Sequence, residues 1–156
     1  MSKYVSASDP MITEVGPTVL LINGLIDTLS VCSKMISFYI FSTYIDGNIE
    51  TCFANMSKMY EISIPCAFYT PSHPNTGKPD WLTTVSSDLV SGNINVLGDK
   101  YDLKTIEFQR HKNIAGEAKS LKNLKKLWHA DFRYSSCTGS KTDLYNNGAN
   151  VYDFRI

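Results

Sequence analysis

Residues 18–53 read TVLLINGLIDTLSVCSKMISFYIFSTYIDGNIETCF and form the most apolar region of the chain. From Met35 to Ile45, apolar and aromatic side chains follow one another almost without interruption and without the gap pattern of an amphipathic helix. This pattern predicts a strand that is apolar on both faces and therefore central in a sheet. Asp46-Gly47 follows, and alternation then resumes at Ile49. An Asp-Gly pair between two such runs predicts the tight turn of a hairpin.

Further strands are predicted on either side of this region. Turn-forming residues interrupt short β-type runs at Asn23-Gly24, at Ser91-Gly92-Asn93 and at Gly98-Asp99. The turn at 23–24 predicts a hairpin into a strand at 25–31, with a glycine bulge in one long strand as the alternative. Pro65 predicts a split, bulged or edge strand, and residues 141–156 predict a last hairpin. Turns spaced in this way favour an antiparallel sandwich or a partly open barrel of about six to eight strands.

One amphipathic helix is predicted in the C-terminal half, over about residues 115–134. Leu121, Leu124, Leu127, Trp128 and Phe132 fall within one arc when successive residues are set 100° apart. The fold class is thus β-rich α+β, with this helix packed on the strands.

The other side of the predicted helix is basic. Between residues 100 and 134 the sequence carries nine Lys or Arg against four acidic residues, although the whole chain has 15 of each. Such an asymmetry is typical of contact with an anionic surface or a neighbouring copy, and also of an ordinary solvated face. The predicted binding face comprises Lys119, Lys122, Lys125, Lys126, His129 and Arg133.

Residues 70–80, TPSHPNTGKPD, form the clearest predicted loop, because three prolines and a glycine oppose regular structure. Long loops in compact domains are often functional. His73, Lys78 and Asp80 are therefore a second candidate site, in which an imidazole and a carboxylate could exchange protons.

The length and composition suggest one domain over residues 1–156, with residues 1–12 as a loose N-terminal arm. The start of the chain lacks the features of a signal peptide, which predicts a cytoplasmic, reducing environment. We expect the four cysteines to be buried thiols, because their spacing is not that of a metal site or a redox motif. No metal and no cofactor is predicted.

Three classes of function remain open. The first is a non-enzymatic assembly or interaction protein, similar in build to viral matrix, coat and accessory proteins, that forms homo-oligomers or binds an anionic membrane surface. The second is a single-stranded nucleic-acid-binding protein of the OB kind, in which aromatic residues stack on bases. The third is a small enzyme that uses the 70–80 loop. The sequence favours a protein that is not an enzyme, since it contains none of the common catalytic motifs.

Overall fold

The chain folds into two sheets whose strands are all parallel in the part of the chain that the structure describes. The structure is a computed structural model, and it describes residues 14–15, 24–40, 45–65, 87–145 and 151–156. The strands in chain order are β1 Glu14–Val15, β2 Gly24–Leu25, β3 Ser37–Tyr39, β4 Ile45–Asn48, β5 Glu61–Ser63, β6 Ser87–Asn93, β7 Thr105–Glu107, β8 His111–Glu117, β9 His129–Asp131, β10 Ser136–Thr138 and β11 Asp153–Arg155. The odd-numbered strands form a six-stranded sheet in the order β1-β3-β5-β7-β9-β11, and the even-numbered strands form a five-stranded sheet in the order β10-β8-β6-β4-β2.

The register shows that the chain is a repeat protein. In the six-stranded sheet, Ser37 lies opposite Glu61, Thr105 opposite His129, and His129 opposite Asp153. Each of these steps is 24 residues (37 to 61, 105 to 129, 129 to 153). The step from Glu61 to Thr105 is 44 residues and includes residues 66–86, which lie outside the described part.

Each repeat runs through one strand of the six-stranded sheet, one strand of the five-stranded sheet and a short helix. The α-helices are α1 Ile49–Phe53 and α2 Thr142–Tyr145, and the 3₁₀ helices are Ile26–Val31, Ile94–Leu97 and Ala118–Leu121. Asn48 begins α1 as an N-cap, since its side-chain oxygen accepts from the backbone N–H of Glu50 at 2.7 Å. A strand and a short helix in a repeat of 20–29 residues are the layout of a leucine-rich repeat.

The core is built from residues that recur at every third position. In one repeat, Ala118, Leu121, Leu124, Leu127 and Ala130 are all buried, and Phe132 completes the series two residues later. The same series occupies 26–40 and 94–108. In each case an L-x-x-L-x-L type of pattern leads into a strand of the six-stranded sheet and continues within it. Stacking repeats brings equivalent side chains together, as in the contact of Phe108 with Phe132, whose ring centroids are 6.3 Å apart.

A glycine with positive φ lets neighbouring repeats approach closely in the five-stranded sheet. Gly92 has φ +124°, and a Cβ there would lie 2.8 Å from Ile49 Cγ1 and 3.3 Å from the backbone nitrogen of Ile49 in the preceding repeat. Any residue with a side chain would meet both backbone strain and a steric clash at this position. Glycine is therefore required by the repeat stacking.

The predicted antiparallel sandwich or partly open barrel is wrong, because both sheets are parallel in the described residues. The hairpin predicted around Asp46-Gly47 is also wrong, since both residues lie inside β4 and β4 belongs to a different sheet from β3. Ser91-Gly92-Asn93 is likewise inside β6. The positive φ inferred from glycine is present at Gly47 and Gly92, but it serves contact between repeats instead of a chain reversal.

The predicted helix over 115–134 is wrong too. This segment contains the end of β8, the 3₁₀ helix and β9. Its buried apolar residues recur every third residue, which matches the three residues per turn of a 3₁₀ helix. An α-helix has 3.6 residues per turn, so a spacing of three would spread these side chains around the helix axis. Trp128, assigned to the core stripe, is 52% exposed.

Other segments also differ from their predictions. The strands predicted at 25–31 and 94–97 are largely or wholly 3₁₀ helix, and the last hairpin is replaced by α2 and the parallel strand β11. A strand does precede Pro65, but β5 ends two residues before the proline and pairs with both β3 and β7, so the predicted edge position is wrong. Within the described residues no helix has the length and apolar character needed to cross a bilayer.

The cysteine prediction is confirmed in part. Cys32 and Cys52 are buried in the core, and Cys137 is half-buried against it. Burial raises the pKa of the Cys52 thiol and of the Cys137 thiol, which keeps both protonated near neutral pH. Cys66 and the predicted arm at 1–12 lie outside the described residues.

Candidate functional site: the outer face of the six-stranded sheet

The outer face of the six-stranded sheet carries a connected set of interacting polar side chains. In β3, β5, β7 and β9 the middle residue is buried in the core, and the alternation of a strand directs the first and third residues outward. The register stacks the outward residues into two rows. The first row is Ser37, Glu61, Thr105, His129 and Asp153, and the second row is Tyr39, Ser63, Glu107, Asp131 and Arg155. We call these residues together the ladder face.

On the ladder face, His129 lies between two carboxylates, on the strand next to β11. Its Nε2 is 3.2 Å from Oε1 of Glu107, and its Nδ1 is 3.3 Å from Oδ2 of Asp153. The Ser63 hydroxyl donates to the other oxygen of Glu107. These contacts join β5, β7, β9 and β11 through side chains as well as through the backbone.

A second cluster neutralises the carboxylates at the C-terminal end of the ladder face. Asp131, whose side chain is 3% exposed, accepts from Nε of Arg133 at 3.0 Å and from Nη2 at 2.6 Å. The hydrogen bond to Asp131 raises the pKa of the Arg133 guanidinium. Arg155 donates to Asp153 at 2.9 Å, and this bond lowers the pKa of the Asp153 carboxyl. Paired guanidinium and carboxylate groups of this kind hold each other in fixed positions.

A row of large exposed side chains borders the ladder face, one residue before each strand. Tyr60, Trp128 and Tyr152 are 42%, 52% and 78% exposed. Trp128 stacks on Tyr152 with ring centroids 6.0 Å apart, and the Nζ of Lys104 lies 4.7 Å from the centroid of the Tyr60 ring. Ile36 begins the row. We call Ile36, Tyr60, Lys104, Trp128 and Tyr152 the aromatic border.

The order of the contacts on the ladder face differs from that of a Ser-His-acid triad. A nucleophilic hydroxyl needs a base that accepts its proton, and a third group that orients this base. Here Glu107 lies between Ser63 and His129, so the imidazole contacts the carboxylate and not the hydroxyl. Among the described residues, no group of three or more His, Cys, Asp or Glu side chains is arranged to hold a metal ion.

The predicted basic face is not one surface. His129 and Arg133 lie on and beside the ladder face, whereas Lys119 and Lys122 border a cleft of about 430 Å³ at the five-stranded sheet. Lys119 forms an ion pair with Glu117, and Lys126 forms one with Asp102 at 2.6 Å. Lys122 and Lys125 are exposed. These six residues were placed on one face because an α-helix was assumed, and without that helix they do not share a surface. A binding role for the individual lysines stays a prediction.

The second sequence-predicted site, His73, Lys78 and Asp80, lies outside the described residues. Among the predicted site residues that the structure describes, Lys119 and Lys122 line one cleft, and His129 and Arg133 each contact a carboxylate of the ladder face.

The remaining ladder-face and border residues were missed by sequence reasoning. Their signal is the spacing itself, since Lys104, Trp128 and Tyr152 are each 24 residues apart and directly precede an apolar alternation. Searching for a period of 20–50 residues would have grouped them.

These features resemble a leucine-rich-repeat architecture, with a polar ladder on the outer face of one sheet. The barrel that the OB-type hypothesis assumed is not formed by the described residues, whose sheets are parallel. The viral and nucleic-acid-binding interpretations have no support from the structure, and as functions they stay untested predictions.

The chain is similar in shape to two solved structures from Listeria monocytogenes, an internalin (inlF) and an internalin C2. The first is 12% identical with a TM-score of 0.43, and the match covers 81% of this chain and 36% of the internalin. The second is 13% identical with a TM-score of 0.40, and the match covers 97% of this chain and 84% of the other. No family model and no curated protein matches the chain.

Proposed function

We propose that this chain is a protein-interaction module that binds an extended polypeptide segment across the ladder face. The single observation that supports this proposal most is the aromatic border. Tyr60, Trp128 and Tyr152 keep large ring surfaces in solvent along one side of a polar sheet face. Tyr and Trp are enriched among the residues that contribute most to protein binding, because they bury much area at little cost in side-chain entropy.

The dimensions of the ladder face fit such a segment. Neighbouring strands in a sheet are about 4.8 Å apart, so the border from β3 to β11 extends over about 19 Å. An extended chain rises about 3.3 Å per residue, and about six residues would cover that distance. Polar groups beside the rings offer hydrogen bonds to the backbone of the segment, as interface rims do.

The hydrogen-bonded network of the ladder face supports the proposal because it fixes side chains before a partner arrives. Asp131 is held by two bonds from Arg133, and Glu107 is held from both sides by Ser63 and His129. Less side-chain entropy is then lost on association, which raises affinity for a given contact area.

The test is selection of random 12-residue peptides displayed on phage, followed by binding of a fluorescein-labelled lead peptide measured by anisotropy. Trp128→Ala should weaken binding by about 10- to 30-fold, the range for a central aromatic contact. Tyr101→Ala removes another exposed aromatic ring, 62% exposed and away from the ladder face, and should change binding by less than about 2-fold. Urea unfolding of each variant checks that the fold is kept.

Two outcomes would contradict the proposal. One is that no peptide is enriched above background, and the other is that Trp128→Ala and Tyr101→Ala weaken binding equally. The predicted homo-oligomer stays a separate prediction, and light scattering at two protein concentrations tests it directly.

A further inference from the structure

The aromatic border contains two pairs of side chains in contact. The Nζ of Lys104 lies 4.7 Å from the centroid of the Tyr60 ring, and the ring of Trp128 stacks on that of Tyr152 with centroids 6.0 Å apart. Each pair joins two neighbouring strands, β5 with β7 and β9 with β11. We call the two pairs the Tyr60 platform and the Trp128 platform. The border therefore offers a partner two separate contact areas.

Backbone hydrogen bonds fix the distance between the two platforms. The backbone N–H of Lys104 donates to the carbonyl oxygen of Tyr60 at 2.8 Å. Trp128 donates in the same way to Lys104 at 3.0 Å, and Tyr152 donates to Trp128 at 2.8 Å. The border residues thus continue the hydrogen-bonded ladder of the sheet, in which neighbouring strands are about 4.8 Å apart. Equivalent points of the two platforms are two strands apart, which is about 9.6 Å.

This distance favours one conformation of an extended partner chain. In polyproline II, three residues complete a turn at about 3.1 Å per residue, so residues i and i+3 lie on the same side and are about 9.3 Å apart. In a β-strand, side chains on one face recur at every second residue, about 6.6 Å apart. The polyproline II period matches the distance between the platforms to within about 0.3 Å, whereas the β-strand period is about 3 Å too short.

The hydrogen-bonding groups of the border also suit a polyproline II segment. Such a segment forms no internal hydrogen bonds, and each proline in it has a carbonyl acceptor but no N–H donor. The border supplies donors, namely the ammonium group of Lys104, the indole N–H of Trp128 and the hydroxyl groups of Tyr60 and Tyr152. Acceptors of the segment therefore meet donors of the chain, and proline rings meet aromatic rings, as they do in known grooves for proline-rich peptides.

We propose that the aromatic border binds a proline-rich segment in the polyproline II conformation, with two prolines at positions i and i+3 on the two platforms. This inference rests on the proposed function, since it names the chemistry and the conformation of the polypeptide at the same face. A segment that already has this conformation when free loses little entropy on binding.

The experiment continues from the same phage selection of random 12-residue peptides. Peptides that bind the wild-type chain but not Trp128→Ala should share a P-x-x-P pattern. Replacing either proline by Ala in the fluorescein-labelled lead peptide should weaken binding by about 5- to 10-fold, the loss expected for one well-packed contact residue. Inserting one glycine between the two prolines should weaken binding at least as much, because both rings are kept but their spacing is lost.

The two platforms can be assigned with variants of the chain. Replacing one of the two prolines should have no further effect on binding to Tyr60→Ala, because the contact that this proline makes is already absent. The same replacement should keep its full effect on the matched control Tyr101→Ala, which removes a ring that is 62% exposed and away from the ladder face. Urea unfolding checks that both variants keep the fold.

The outcomes separate this inference from the proposed function. Leads that need Trp128 but contain no P-x-x-P pattern would overturn the inference and leave the proposed function intact. A lead that tolerates the inserted glycine, or that binds Tyr60→Ala and Tyr101→Ala equally well, would also overturn it. Failure to enrich any peptide that needs Trp128 would instead contradict the proposed function.

Discussion

Single residues depart from the repeat at two buried positions, and each departure has an energetic consequence. His111 is 1% exposed, and its Nε2 lies 2.6 Å from the backbone oxygen of Ile64 in the preceding repeat. Its Nδ1 has no hydrogen-bond partner within the described part of the chain. Lys100 is 1% exposed at a position where the next repeat has Leu124. Lys100 thus brings a charged group into an apolar column, and His111 keeps a buried ring nitrogen without a partner.

The stability of the protein should fall in mild acid because of His111. Burial lowers the pKa of His111 below its ordinary value of about 6.5. Below that pH the unfolded chain binds a proton at His111 more readily than the folded chain does. The contribution of neutral His111 to the stability is therefore fully present above about pH 6.5, and it is lost as the pH falls towards the pKa of the folded state. Urea midpoints measured from pH 8 to pH 5 should decline for the wild type.

His111→Asn should show a smaller decline over the same range, although the variant is less stable at pH 7 by about 1–3 kcal/mol through its altered packing and hydrogen bond. Between pH 7 and pH 8 the two proteins should have parallel profiles. An equal decline in both proteins below pH 6.5 would show that other groups cause the acid sensitivity.

Lys100→Met should stabilise the protein. The ammonium group of Lys100 is 3.5 Å from Asp99 Oδ1, and the Asp99 side chain is 74% exposed. A long contact with an exposed carboxylate recovers little of the cost of removing an ammonium from water, and replacing buried charges by apolar residues is often neutral or stabilising by about 1–4 kcal/mol. The measurement is the urea midpoint at pH 7. Lys122→Met, at an exposed position, is the matched control and should stay within about 0.5 kcal/mol; a large loss of stability in Lys100→Met alone would contradict the interpretation.

At the scale of the element, the strands of the five-stranded sheet depend on glycine for their spacing. Gly92→Ala should destabilise the protein by about 2–4 kcal/mol, since a Cβ meets Ile49 and Asn48 of the preceding repeat and the φ of +124° strains any other residue. The free energy of unfolding in urea measures the effect. Ser91→Ala, one residue earlier in β6, should cost less than about 1 kcal/mol, and similar losses in both variants would argue against close stacking at the glycine.

The elements also show how much the sequence could predict. The burial of Phe38 and Ile40 follows from the apolar run around them, and the structure confirms it. The direction of the strands does not follow, because a buried parallel strand and a central antiparallel strand have the same apolar composition. Asp46-Gly47 favours a hairpin in isolation, and only the backbone of a neighbouring repeat explains its glycine.

The repeat itself was present in the sequence but was hard to recognise. The Leu positions of the pattern are filled by Met35, Met59 and Val151 in some repeats, and one step is 44 residues instead of 24. A period of three residues also resembles the helical period of 3.6 over a short window. The ladder face depends on these registers, so it could not be assembled before the repeat was known.

At the scale of the whole molecule, each repeat contacts only its neighbours, and unfolding should therefore be local at the ends. Leu144→Ala removes a buried side chain of the last repeat, and Ile106→Ala removes one from the middle of the stack. Hydrogen exchange followed by mass spectrometry should show faster exchange mainly within 136–156 for Leu144→Ala.

Ile106→Ala should accelerate exchange on both sides, in 37–65 and in 111–131, because it interrupts the contact between the two halves of the stack. Uniform acceleration over the whole chain in both variants would instead indicate a single cooperative unit.

The long step between β5 and β7 has a consequence for how such a chain can change over evolutionary time. Ile62 still lies opposite Ile106, as Phe38 lies opposite Ile62, although 44 residues separate one pair and 24 the other. Loop-closure entropy grows only with the logarithm of length, so the longer connection costs about 0.5 kcal/mol more than the shorter one. A lineage can therefore acquire some twenty residues between two rungs, or an engineer can graft a foreign segment there, while the sheet on either side keeps its pairing.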